Sequence, residues 1–144
     1  MKLVLCTKVA SPGAWLLRLA MWARWSHSAI YDEAAEVVYD TTFWGGGCKV
    51  HAAGDFFNHY SKHELRNIEV PDARLPESRA WLAAQLGKSY DWTALLSFVV
   101  HREWDEDDRW FCSEHSETYI TLYAQPRFRS KASRITPQHQ DMVL

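Results

Sequence analysis

The strongest structural signal in this sequence is a pair of short apolar runs separated by a loop. The first run, His27-Ser28-Ala29-Ile30-Tyr31, is followed by Asp32 to Ala35 and then by Glu36-Val37-Val38-Tyr39-Asp40. Runs rich in β-branched and aromatic residues on either side of such a loop predict a β-hairpin. With Asp32 to Ala35 as the loop, His27 pairs with Asp40, and both side chains lie on one face of the hairpin.

This pairing predicts an imidazole with a carboxylate beside it. The carboxylate of Asp40 can accept an N–H of His27 and favour the charged ring, which leaves the second ring nitrogen to exchange a proton with a nucleophile. The prediction depends on the register, because a slip of one residue would turn Asp40 to the opposite face.

A nucleophile is predicted at Cys112, where a charged loop gives way to a helical pattern over residues 110–123. One helix stripe contains Cys112, Ser116, Tyr119, Ile120 and Tyr123. We therefore expect Cys112 in the first turn, where unpaired N–H groups and the helix dipole activate a thiol and can stabilise an oxyanion. The alternative is an inert buried cysteine that only fills the core.

In the order of these segments the chain resembles the circularly permuted NlpC-type papain-like hydrolases, whose relatives include the lecithin:retinol acyltransferase group. The resemblance spans about residues 1 to 140 and rests on several short segments together. These are His27 with Ile30 and Tyr31, Asp40, Gly87-Lys88-Ser89-Tyr90-Asp91-Trp92, Cys112-Ser113-Glu114 and Ile135-Thr136-Pro137. His115 departs from the apolar residue that is more usual after the Cys-Ser-Glu segment.

The resemblance implies an α+β protein with a permuted papain-like (NlpC-type) fold, in which an antiparallel sheet packs against helices. We expect one such domain over residues 1–144. Cys112 would be the nucleophile, His27 the acid and base, and Asp40 the orienting carboxylate. The residues expected to contact substrate are Tyr90, Trp92, Ser26 and Ser113. For residues 90–92 a structural interpretation is equally open, with Asp91 as a helix N-cap and Trp92 in the core.

We therefore predict a papain-like cysteine peptidase or amidase that cleaves an amide bond through a Cys-His-Asp acyl-enzyme mechanism. The preferred substrate implied by the resemblance is a peptidoglycan stem peptide. Two alternatives stay open. The same triad could serve a lipid or thioester acyltransferase or esterase, and a phage structural or binding module could keep the fold without catalysis.

Composition favours a compact enzyme over other classes of protein. The 144 residues are 47% hydrophobic, which is enough for one domain with its own core. A formal net charge of −2 argues against a general nucleic-acid binder. The cysteines at positions 6, 48 and 112 are odd in number and widely spaced, so we expect a reducing compartment rather than a disulfide framework. We predict no cofactor.

The sequence carries no convincing targeting or membrane-spanning segment. The apolar run Leu3-Val4-Leu5-Cys6 is too short for a signal peptide, and Lys8 interrupts its continuation. No uncharged apolar run reaches the roughly 18 residues that a membrane span needs. We expect a cytoplasmic protein. A cell-wall substrate would then require a phage-encoded protein or delivery to the cell envelope by another route.

A basic N-terminal segment gives a separate prediction of peripheral membrane contact. Residues 1–31 contain basic side chains and no acidic residue, and a predicted helix from Trp15 to Trp25 adds tryptophans. Such a helix can lie on an anionic membrane. The alternative is a helix that packs on the sheet with its basic residues in water.

Zinc binding is the main competing interpretation of a second cluster. Cys48, His51, His59 and His63 have spacings that zinc sites use. However, Cys48 and His51 alternate faces on a predicted strand, so their side chains would diverge. We therefore predict no metal site, and a solvated loop rich in histidine instead.

Overall fold

The computed structural model describes residues 1–8, 18–19, 22–42, 45–91 and 109–143, and within them it has an α+β architecture. Five strands form one antiparallel sheet in the order β4-β3-β2-β1-β5: β1 Lys2–Thr7, β2 His27–Asp32, β3 Val37–Thr42, β4 Gly47–Ala52 and β5 Lys62–Asn67. A short parallel pair joins β6 Ser89–Tyr90 to β7 Arg109–Trp110. The helices are α1 Ala53–His59, α2 Leu75–Gln85, α3 Cys112–Tyr123 and α4 Pro137–Met142. The predicted α+β class with an antiparallel sheet is therefore confirmed.

The hairpin forms as predicted, but its register differs by two residues. Tyr31 pairs with Val38, whereas the sequence analysis pairs it with Glu36. The loop begins one residue later than expected because Asp32 stays in β2 and its side chain accepts the N–H of Ala35 at 3.4 Å. A shift of two residues keeps every side chain on its face, since side chains alternate with a period of two.

The two faces of the sheet bury different cores. One face packs against α2 and α3 through Leu3, Leu5, Ile30, Leu82, Tyr119, Ile120 and Tyr123. The opposite face packs against α1 through Val4, Cys6, Ala29, Val38, Ala53 and Phe56. Cys6 pairs directly with His27 across β1 and β2, so His27 begins its strand on the face that α1 covers.

Helix α3 begins at Cys112, two residues later than the helix predicted over 110–123. Trp110 instead pairs with Tyr90 in the short parallel ladder, and Phe111 is extended, with φ −88° and ψ 151°. Cys112 is therefore the first helical residue, which confirms its predicted place in the first turn.

A close backbone approach ties the edge strand β4 to the segment before Tyr90. Gly47 has φ 119°, and a Cβ there would collide with the carbonyl oxygen of Lys88. Cys48 donates its N–H to that oxygen at 2.8 Å, and Gly87 donates to the Cys48 carbonyl at 2.9 Å. Glycine is required at position 47 because a side chain would separate the two segments.

The predicted Trp15–Trp25 helix does not extend over its whole range. Arg18 and Leu19 are helical, but Trp22 is in a turn with φ 49°, and residues 9–17 and 20–21 lie outside the described residues. Trp25 is buried with the α3 face of the sheet, whereas the Trp22 side chain is 93% exposed. Across the described ranges, no helix is long and apolar enough to cross a membrane.

Candidate active site

His27 and Asp40 form a short, buried hydrogen bond. The Nε2 atom of His27 lies 2.5 Å from Oδ1 of Asp40, and the two residues are 8% and 5% exposed. They are diagonal neighbours on adjacent strands, which brings long side chains within reach of each other. The register error in the prediction therefore leaves the predicted contact intact.

The third member of the cluster, Cys112, reaches His27 from the start of α3. Burial would lower the pKa of His27, but the negative charges of Asp40 and of a Cys112 thiolate, together with hydrogen bonds to both residues, raise that pKa to about 10. His27 is therefore charged at neutral pH. An imidazolium held beside a thiol favours the thiolate, which is the nucleophilic form of cysteine.

The first turn of α3 is capped by the side chain of Glu114, which belongs to the same turn. Phe111 donates its N–H to Oε2 of Glu114 at 3.3 Å, and the Phe111 carbonyl accepts the N–H of His115 at 2.9 Å. The first N–H groups of a helix have no acceptor within the helix, so those around Cys112 can donate to an oxyanion. Phe111 and Cys112 are both buried, with the half-buried Tyr90 packed against them.

Hydroxyl groups fix α3 against the sheet and against the C-terminal segment. The Ser116 and Ser28 hydroxyls are 3.0 Å apart, and both side chains are fully buried. Ser113 donates its hydroxyl to the carbonyl of Ile135. The Ser113 side chain is therefore used in packing α3, and its predicted substrate contact stays a prediction.

Of the other predicted substrate residues, Tyr90 and Ser26 lie within the described ranges and have contacts of their own. Tyr90 packs on Phe111 with ring centroids 5.9 Å apart, and a charged Cys112 contributes, after burial, to a raised Tyr90 pKa. Ser26 precedes His27 and donates its hydroxyl to Thr7 at 3.0 Å. Trp92 lies outside the described residues, so its predicted role stays a prediction.

Cys6 and Cys48 have surroundings that suit inert thiols. Burial, followed by the charges of Asp40 and Cys112, raises the pKa of Cys6 well above its ordinary value. Burial also raises the pKa of Cys48. Both thiols therefore stay protonated at neutral pH, and they provide internal references for the reactivity of Cys112.

Two ring side chains near the triad were not predicted from the sequence. Tyr60 stacks on His27 with ring centroids 5.6 Å apart and an interplanar angle of 9°. The Nε2 atom of His51 lies 3.7 Å from Oδ2 of Asp40, on the side away from His27. The alternation of β4 could have indicated His51, since it shares a face with Val38 and Asp40. The helical spacing of Ala53, Phe56, Phe57 and Tyr60 could have indicated that Tyr60 packs inward.

His115 is a buried histidine of a different kind. Its Nδ1 lies 3.2 Å from the hydroxyl of Thr41, and its ring stacks on Trp81 at 5.6 Å. Burial lowers the pKa of His115 to about 4, so the ring is neutral at pH 7. This explains how a histidine can occupy a fully buried position of α3.

The four residues with zinc-like spacing do not converge. Cys48 pairs with Thr41, whereas His51 pairs with Val38 on the other face of β4. His63 packs on Phe57, with ring centroids 4.7 Å apart. In the described ranges, no group of three or more His, Cys, Asp or Glu side chains is arranged to hold a metal ion.

Comparisons of this chain with protein-family models, with curated proteins and with solved structures find no match.

Proposed function

We propose that this chain is a cysteine hydrolase of the permuted NlpC-type papain-like group, with peptidoglycan stem peptides as its preferred substrates. The observation that carries the proposal is the position of His27, which is held between the Asp40 carboxylate and Cys112. A cysteine that only fills the core does not require a charged pair beside it. Burying two charges costs free energy, and such groups cluster at functional sites.

The reaction proceeds through an acyl-enzyme in two halves. The Cys112 thiolate attacks the carbonyl carbon of the amide, and N–H groups at the start of α3 stabilise the oxyanion. His27 donates its proton to the leaving amine as the carbon–nitrogen bond breaks, which produces a thioester. Neutral His27 then takes a proton from water as the water attacks the thioester, and the acid product leaves with Cys112 restored.

The proposal of a permuted papain-like fold is supported by chain order and layer arrangement. A hairpin supplies His27 and then Asp40, and a later helix supplies Cys112 at its first residue. This is the order in which the resemblance expects them, and α3 packs on the same sheet through Tyr119 and Ile120.

Turnover of synthetic stem peptides tests the proposal. We expect Cys112→Ala to remove hydrolysis while the circular dichroism spectrum and the melting temperature stay close to those of the wild type. Mass spectrometry of a quenched wild-type reaction should detect an acyl group on Cys112. Hydrolysis by Cys112→Ala above a few per cent of the wild-type rate contradicts the assignment. Cys48→Ala is the matched control, because it removes a buried thiol on the face of the sheet opposite to Asp40.

A second candidate is acyl transfer from lipid or thioester substrates, which the N-terminal segment favours. The Trp22 side chain is 93% exposed, and that of Arg24 is 66% exposed. An exposed tryptophan beside a cation is typical of contact with an anionic membrane interface. Co-sedimentation with anionic vesicles, weakened by Trp22→Ala and absent with zwitterionic vesicles, together with acyl-ester turnover, would favour this candidate over stem-peptide hydrolysis.

A further inference from the structure

Tyr60 lies directly against the predicted acid–base residue, although it comes from a separate element. Its ring is nearly parallel to that of His27, with centroids 5.6 Å apart and an angle of 9°. Phe56 packs against the Tyr60 ring at 4.8 Å, and His59 meets it edge-on at 5.2 Å. Helix α1 thus holds the ring in place from behind.

We propose that Tyr60 is a positioning residue that fixes the plane of the His27 ring between Asp40 and Cys112 and shields the ring from water. This inference rests on the proposed function, since it gives Tyr60 a role in the same acid–base step. Phe56 and His59 of α1 act only as support for Tyr60.

The need for such a residue follows from how His27 is bound. The hydrogen bonds of His27 to Asp40 and Cys112 require one orientation of the imidazole, which the side-chain torsions of His27 do not fix by themselves. Rotation would carry the second nitrogen away from Cys112, and proton transfer fails when the heavy atoms leave hydrogen-bond distance. A flat ring stacked on one face of the imidazole opposes this rotation, because tilting would force the two rings into each other.

Tyr60 also changes the strength of the charge interactions around His27. Attraction between charges grows as water is replaced by a medium of low dielectric constant. Phe56, which backs Tyr60, is 4% exposed, so the stacked rings separate this face of His27 from solvent. Removing the ring would admit water and weaken the attraction of Asp40 and Cys112 for the imidazolium.

The Tyr60 hydroxyl is not itself a proton carrier at neutral pH. Burial, followed by the charges of Asp40, Cys6 and Cys112, raises the pKa of Tyr60 far above its ordinary value. The hydroxyl therefore stays protonated, and the flat aromatic surface is the useful part of the side chain. This distinguishes Phe, which keeps the surface, from Ala, which removes it.

Among the described residues, four titratable side chains face His27 and can affect its titration. They are Cys6 from β1, Asp40 from β3, Cys112 from α3 and Tyr60 after α1. Cys6 and Tyr60 stay neutral at neutral pH, so the charges that act on the ring are those of Asp40 and Cys112.

The experiment is a pH titration of the His27 ring by NMR. A second readout is the rate at which iodoacetamide alkylates Cys112 at pH 6. Both are measured in the wild type and in the variants Tyr60→Phe, Tyr60→Ala and Tyr39→Ala. Tyr39 is the matched control, because it is a half-buried tyrosine packed on the opposite face of the sheet. We expect Tyr60→Ala to lower the His27 midpoint by about one pH unit and the alkylation rate about tenfold. Tyr60→Phe and Tyr39→Ala should stay within about twofold of the wild-type rate, which is about 0.3 pH units.

The results separate this inference from the function on which it rests. A wild-type Cys112 that iodoacetamide alkylates no faster than Cys6 and Cys48 overturns the proposed function, and the role of Tyr60 with it. A raised wild-type midpoint that Tyr60→Ala leaves unchanged overturns the role of Tyr60 alone. An equal loss in Tyr60→Ala and Tyr39→Ala also overturns it, because the effect is then general destabilisation. Should Tyr60→Ala fail to fold, a midpoint in Tyr60→Leu equal to that in Tyr60→Phe overturns it, since Leu fills the space without a flat ring.

Discussion

His27 and His115 are both buried, at 8% and 1% exposure, yet their surroundings shift them in opposite directions. The pKa of His27 is raised to about 10, and that of His115 is lowered to about 4. Burial opposes the charged ring in both cases. What differs is the chemistry of the neighbours, and this separates a histidine that can do catalysis from one that fills a core.

The neighbours explain the difference directly. His27 contacts a carboxylate at 2.5 Å and has Cys112 as a second partner. His115 has a neutral hydroxyl from Thr41 at 3.2 Å and the faces of tryptophan rings. A hydroxyl and an indole cannot compensate a buried positive charge, whereas two anions can.

The largest effect is expected from Asp40→Asn, which removes the charge and keeps the shape. Without that charge, burial has the larger effect on the pKa of His27. The pKa should then fall below 7, as that of His115 does. We expect the alkylation rate of Cys112 at pH 6 to fall roughly 10²-fold, within the range of general acid–base effects. Peptide mass spectrometry of the alkylated protein measures this rate. A rate within threefold of that of the wild type would contradict the role of Asp40.

The next effect concerns stability in acid and tests His115. Its pKa is about 6.5 in the unfolded chain and about 4 when folded, so the unfolded chain binds more protons between these values. The free energy of unfolding should therefore fall as the pH drops from 6.5 to 4, by up to about 3 kcal/mol. The raised pKa of His27 has the opposite sign: its contribution is complete below pH 6.5 and is lost as the pH rises toward 10.

Urea unfolding at pH 6.5 and pH 4.5 measures the acid effect. His115→Phe should show a smaller loss between the two pH values than the wild type, because Phe takes up no proton. His63→Gln is the control, since His63 is exposed and should leave the loss unchanged. An identical loss in His115→Phe and the wild type would assign the acid sensitivity to other groups.

A smaller effect is expected at the hydroxyl pair that connects the two histidine-bearing elements. Ser28 follows His27 in β2, Ser116 follows His115 in α3, and their buried hydroxyls lie 3.0 Å apart. A double-mutant cycle with Ser28→Ala and Ser116→Ala should give a coupling energy of about 1 kcal/mol. A coupling near zero from urea unfolding would show that these hydroxyls do not fix α3 on the sheet.

The smallest effect is expected at His51. Its Nε2 is 3.7 Å from Asp40, beyond hydrogen-bond distance, and its side chain is 38% exposed. His51→Ala should therefore change the alkylation rate of Cys112 by no more than about threefold, since exposed pairs contribute little. A loss as large as that of Asp40→Asn would make His51 a second essential partner of the carboxylate beside His27.

The sequence predicted the parts of the site that follow from periodicity. The alternation of the hairpin placed His27 and Asp40 on one face, and the stripe ending at Tyr123 placed Cys112 at a helix start. The register was wrong by two residues because Asp32 remains in its strand and binds the loop. That error was harmless to the site only because the shift was even.

Other parts of the site could not be predicted because they depend on tertiary packing. Tyr60 follows the short helix Ala53–His59 and shares a helical stripe with Phe56 and Phe57, but that spacing does not indicate that Tyr60 stacks on His27. Burial keeps His115 neutral, and the Trp81 ring that stacks on it is distant in sequence. Neither contact is encoded in local spacing, so the sequence predicted the triad without the ring that covers it.

The most direct test of the central claim is the pH dependence of iodoacetamide alkylation at Cys112, compared with Cys6 and Cys48 in the same molecule, in the wild type and in His27→Ala. We predict that Cys112 reacts well below the ordinary thiol range near pH 8.5, that Cys6 and Cys48 react only when the protein unfolds, and that His27→Ala removes the advantage of Cys112. Equal reactivity of all three thiols, or a Cys112 that stays silent until unfolding, would contradict the account.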